Sequence, residues 1–191
     1  MLYLILFILG CLAGIIAKGK MSNFIDFRLE KPWLVILSFL ILTVFQIAGR
    51  KLDFLHQYAI VINCFTFGLL LIGFWFNRFY VGIWFVAAGC FLNATVVALN
   101  NGKMPVSLEL VKRISNGQEM IKNDIRHFVF ESSSSIKLPF LADIIYVPGI
   151  YGMGMNIMSA GDMFVAIGLF TLAFEIVKGK RAEGIINEKV S

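Results

Sequence analysis

Asp143, Asp162 and His127 are the side chains best suited to move a proton or share a cation in this chain, and all three fall in its longest polar stretch. Two carboxylates brought together by folding can act as acid and base on a headgroup, or hold a metal between them. Nothing in their spacing demands either. The chain has no phosphate-cradling G-x-x-x-x-G-K, no H-E-x-x-H, and no Ser or Cys nucleophile with a nearby His. His127, between Arg126 and Phe128, reads as a solvated residue on a surface helix. No catalytic residue, metal site or cofactor is expected.

A second set of polar side chains could bind without reacting. Gln46, Asn63 and Asn93 lie inside apolar runs, and Asn100 and Asn101 stand at the end of one. Amides in such positions are costly unless paired, so they point inward. Two readings stay open: a polar vestibule gathered at one depth, or hydrogen bonds between helices that hold the bundle together with no ligand.

The elements that position these residues are set by composition. Of 191 residues, 59% are hydrophobic and 15% charged, and the mean hydropathy is +0.82. A soluble fold is excluded in practice, because the polar residues fall between long apolar stretches instead of recurring within them. The net charge of +5 does not indicate nucleic acid, since the basic residues cluster at the ends of apolar runs, where they anchor helices. Cys11, Cys64 and Cys90 all lie in predicted spans, without a C-x-x-C pair, and read as packing residues.

The expected fold is an all-α integral membrane domain over residues 1–191 with five transmembrane helices, near 1–17, 33–49, 58–76, 79–99 and 163–177. Its direct partner is the lipid bilayer. Gly10 and Gly14 in the first run have the G-x-x-x-G spacing that admits a neighbouring helix. Lys18, Lys20, Arg28 and Lys31 after the first span, and Lys178, Lys180, Arg181 and Lys189 after the last, put both connections on the cytoplasmic side of a cell membrane. The N-terminus and the segment 100–161 then face outside.

That segment is an extended loop expected to carry two amphipathic helices and a short hairpin. Ser107 would cap a helix through Leu108, Val111 and Ile114 that stops at Asn116 and Gly117. Ile121, Ile125, Phe128 and Val129 fall at helical spacing and predict a second helix, either lying flat in the interface or packed as a lid over the bundle. Ser132–Ser135 read as a flexible link. Leu138–Gly149, bounded by Pro139 and Pro148, is too short to span and reads as a re-entrant or interfacial hairpin. Asn100, Asn101 and Gly102 should stop the fourth helix, Gly102 by a left-handed turn and Pro105 by forbidding continuation. Ser159 to Asp162 should cap the last one.

The stretch GCFLNATVVALNNGKMPVS, with LPFLADII, a following proline, and SAGD opening the last helix, resembles domain-of-unknown-function family 5317. AKGKMSNFIDFRLEKPWLVI resembles the family's first connection, so the likeness covers nearly the whole chain. The resemblance implies a small polytopic bacterial membrane protein with no assigned activity. It marks Asn93, Asn101, Gly102, Met104, Pro105, Asp143, Gly161 and Asp162 as matching the family pattern, with departures at Lys103 and at Ala142, where glycine is expected.

Function then divides three ways. The first is binding or transport of a small polar molecule, ion or lipid headgroup at an outward vestibule formed by Gln46, Asn63, Asn93, Asn100, Asn101, Asp143 and Asp162. The second is a non-catalytic subunit or regulator with a membrane-protein partner. The third is a lipid-modifying enzyme. A self-sufficient carrier is disfavoured by the lack of an internal repeat and of a carboxylate at mid-membrane depth.

Overall fold

A backbone in hydrocarbon has no water to bond, so an apolar run satisfies its own N–H and C=O groups by coiling. The computed structural model describes residues 2–49, 51–114, 117, 121, 126–147 and 157–179. Four of its helices are long and apolar enough to cross a membrane: α3 (Pro32–Gly49), α4 (Ala59–Phe76), α5 (Val81–Leu99) and α7 (Ala160–Lys178). They start and end within a few residues of the expected spans. The first helix, α1 (Leu2–Ile16), is equally apolar but has 15 residues, about 22 Å of helix against a hydrocarbon core of roughly 30 Å. A one-turn helix, α2 (Asn23–Asp26), follows it.

Glycines decide which helices touch. A Cβ on Gly89 of α5 would run into the Gly161 carbonyl of α7, and one on Gly82 into Gly168 and Leu172, so these antiparallel backbones meet directly. On the other side of α7, Gly10 faces Phe170 and Ala173, while Gly14 faces Phe174 and Val177. The Gly10/Gly14 pair thus seats α1 on α7, and the rising numbers on both helices show that they run in the same direction. α3 packs antiparallel to α4 where Gly73 meets Leu34 and Val35.

One end of the bundle is stitched by polar contacts. Lys20 N–H donates to the Val177 carbonyl at 2.9 Å, and Lys178 Nζ donates to Ala17 O at 2.8 Å. The Asn77 amide donates to Glu30 O at 2.9 Å and accepts from Glu30 N–H at 2.8 Å, tying the α4–α5 turn to the connection before α3. The Glu175 carboxylate is buried because it caps α5, taking the N–H groups of Val81 at 3.0 Å and Gly82 at 2.9 Å. Gly179, at φ 73°, closes α7 in the left-handed region.

The opposite end carries the segment after α5. Asn101 (φ 56°) and Gly102 (φ 78°) both turn left-handed and stop the helix, with Gly102 N–H bonded to Val97 O at 2.8 Å. The chain then departs from expectation. Met104–Ser107 form a strand, β1, paired in parallel with β2 (His127–Phe130), and Val106 bridges Asp143. Phe128 and Val129 are therefore strand residues, not the helix their spacing predicted. Apolar spacing cannot reveal a parallel partner lying far back in the chain. Ile121 is buried with Val106, Leu110, Val111 and Ile157; Ile125 lies outside the described residues.

The helix after Ser107 is a single turn, α6 (Leu108–Val111), and the Ser107 side chain makes no cap bond; Asn116 lies outside the described residues. Ser133–Ser135 form a 3-10 turn instead of a loose link, with Ser135 Oγ donating to Ser132 O at 2.6 Å. The expected hairpin within Leu138–Gly149 is replaced by a 3-10 turn at Pro139–Leu141 and a short strand, β3 (Ile145–Tyr146). That strand pairs antiparallel with β4 (Ile157–Met158), beyond the expected segment. Pro148 lies outside the described residues.

Candidate functional site

The first turn of α7 is a closed circuit. Ser159 Oγ accepts from Asp162 N–H at 2.9 Å, and Asp162 Oδ2 accepts from Ser159 N–H at 3.1 Å, a reciprocal capping box. Asn93, on the facing side of α5, completes it. Its Nδ2 donates to Asp162 Oδ1 at 2.9 Å, and its Oδ1 accepts from Ser159 Oγ at 2.7 Å. Gly161 is a precondition, because any Cβ there would occupy the position of the Asn93 side chain.

Asp143 reaches the same place from the sheet. Its N–H donates to Pro105 O at 3.0 Å and its carbonyl accepts from Ser107 N–H at 3.2 Å, so β1 pins its backbone. The side chain then faces His127, with 3.7 Å between Oδ2 and Nε2. Asp143 is only 4% exposed. Burial, and after it the negative charge of Asp162, pushes its carboxyl well above the usual carboxylate range. From α4, Asn63 Nδ2 donates to Ala59 O at 2.8 Å and to Gly102 O at 3.0 Å, fastening the end of α5 to the start of α4.

These groups share a cavity of about 170 Å³ whose polar wall is Asn63, Asn93, Arg126, His127, Asp143 and Asp162. Leu42, Phe67, Val97 and Met104 supply the apolar part. The wall offers amides, an imidazole, a guanidinium and carboxyls, so it can donate and accept hydrogen bonds at once. Among the described residues, no three His, Cys, Asp or Glu side chains gather as a metal ion would require.

Residues 26–174 match the model of a family described as a family of unknown function, DUF5317. The chain belongs to that family. No curated protein and no solved structure matches it. The DUF5317 match runs from the connection before α3 into α7 and includes every residue of the cavity wall; α1 lies outside it.

Of the residues singled out in the sequence, Asn63, Asn93, Asp143 and Asp162 come together here, with Gly102 and Met104 in the same wall. Three others do not join them. Gln46 is half-buried on α3, one turn beyond Leu42, and is not part of the wall. Asn100 serves the loop: Nδ2 donates to Val96 O and Lys137 O, each at 2.9 Å, and Oδ1 accepts from Lys137 N–H at 3.0 Å. Asn101 is exposed. Pro105 is fully buried and offers its carbonyl to Asp143, and Pro139 opens a 3-10 turn.

Arg126 was missed as a site residue, and His127, weighed beside the two carboxylates, was set aside as solvated. The His127 side chain is 15% exposed and faces a carboxylate, which corrects its reading as solvated. The available signal was Val129, which shares the strand face of His127 and packs on the buried cluster of Val106, Leu110 and Val111; reading the stretch as a strand would have put His127 on that inward face.

Proposed function

We propose that this protein is a multi-pass cell-membrane protein that binds a small polar molecule or a lipid headgroup in the cavity between α4, α5, the sheet and the start of α7. One observation carries the reading: six polar side chains from separated parts of the chain face a single cavity. Its volume is close to that of an engineered cavity of about 150 Å³ that holds benzene. The ligand would therefore have about six to eight non-hydrogen atoms. Donors and acceptors of both charge signs favour a polar or zwitterionic group over a bare ion.

The topology is part of the proposal. α1 lies parallel to α7 and shares its ends, which supports five crossings, the short first helix being accommodated by local thinning of the bilayer. Lys18, Lys20, Arg28, Lys31, Arg78 and Lys178 occupy the stitched end, which supports a cytoplasmic placement of that end, and the cavity then opens outside.

Native mass spectrometry of the detergent-extracted protein tests the binding reading. The expected spectrum contains a small-molecule or lipid adduct on the native chain that is lost from Asp143→Asn and His127→Gln variants. A bare chain would leave Asn63, Asn93 and Asp162 as interhelical fastenings, and a stoichiometric polypeptide adduct would favour a subunit of a larger complex.

A further inference from the structure

At the end of the bundle opposite the cavity, a groove runs between α4 and α5. Leu71, Phe74 and Trp75 line it at successive turns of α4, and Arg78 stands at its mouth; Ile83, Trp84 and Ala87 face them from α5. It encloses about 160 Å³ and follows about 10 Å of helix. The walls are hydrocarbon and indole, Arg78 is the one charged group in the lining, and no carboxylate contributes.

The cation is held in place by its neighbours. Arg78 is exposed and makes no ion pair among the described residues. Its guanidinium stands 5.1 Å from the ring centres of both Trp75 and Phe79. Nη1 donates to Trp75 O at 3.2 Å, and the guanidinium has further N–H groups with which to meet an anion. Trp84 Nε1 in turn donates to Arg78 O at 2.9 Å, and the two indoles meet edge to face at 6.2 Å. Both tryptophans are more than half exposed, at 57% and 52%, as at the belt where a helix passes from acyl chains to headgroups.

We propose that this groove is a binding site for an anionic phospholipid, with one acyl chain lying along Leu71, Phe74 and Ala87 and the phosphate paired with Arg78. A linear apolar chain ending in an anion matches both the shape and the single charge. A zwitterionic lipid matches less well, because no acidic side chain in the lining would receive its ammonium.

Tryptophan quenching tests this in the full chain. In a Trp33→Phe background, Trp75 and Trp84 report alone. The protein is reconstituted in phosphatidylcholine containing a small fraction of phosphatidylglycerol with brominated acyl chains, or the same fraction of brominated phosphatidylcholine. The brominated anionic lipid should quench with about five-fold higher apparent affinity, the size expected of one basic side chain facing an anionic headgroup. Arg78→Gln, at an exposed position, should abolish the difference. Equal quenching by the two lipids in the native sequence would overturn the proposal, and so would a preference that survives in Arg78→Gln.

Discussion

The Asp143 carboxylate faces His127 Nε2 at 3.7 Å across the β1–β2 sheet edge, in a place where both side chains are largely withdrawn from water. Because burial and the charge of Asp162 hold the Asp143 carboxyl above its usual range, the folded protein keeps a proton there that the unfolded chain releases near pH 4. The folded state thus binds more protons in the window above that value, and its stability falls as pH rises through it. Asp143→Asn has no proton to lose. Its thermal midpoint in detergent should depend less on pH and should equal or exceed that of the native protein above the window. A native midpoint that climbs relative to the variant would contradict the assignment.

Two glycines make a matched test of helix contact. Gly161→Ala forces a methyl into Asn93 and the Gly89 carbonyl and should destabilise by about 1–3 kcal/mol. Gly68→Ala meets nothing within 4 Å and should be neutral or stabilising by up to about 1 kcal/mol. Unfolding in mixed micelles reads both.

Glu175→Ala strips the N–H groups of Val81 and Gly82 of their acceptor. A loss of about 1–3 kcal/mol is expected, with Glu175→Gln milder because the amide oxygen can still accept. Equal stability of all three proteins would show that the cap contributes nothing.

Asn100→Ala releases the peptide of Lys137 from the end of α5. Hydrogen exchange at Lys137 and its neighbours should accelerate while exchange in α3 and α4 stays unchanged.

The proposed orientation predicts that Ser133→Cys reacts with a membrane-impermeant maleimide on intact cells and that Lys20→Cys does not, both in a background with Cys11, Cys64 and Cys90 replaced by Ala. The reverse pattern would invert the topology.

The helices were legible because their signal is local: an apolar run with charges at its ends fixes α3, α4, α5 and α7 with no knowledge of neighbours. The Ser159–Asp162 cap and the Gly102 turn were legible for the same reason. Asn93 and Asp143 stood out as polar residues in apolar company. Arg126 did not, and His127 was placed on a solvated helix, since their position depends on a parallel pairing between Met104–Ser107 and His127–Phe130 that helical spacing does not encode. Asn100 misled for the opposite reason. It has the same chemistry and nearly the same location as the cavity amides, but its hydrogen bonds are all consumed by Val96 and Lys137.

α1 and α5 both pack on α7, yet α7 follows every other described helix in the chain. A ribosome that has finished α5 must still deliver everything from Asn100 to Ser159, several seconds of work at about 5–20 residues per second. During that interval the glycine stripe of Gly82 and Gly89 faces lipid and the Asn93 amide lacks its carboxylate. Biogenesis therefore passes through a half-built stage whose seam stays open until α7 arrives.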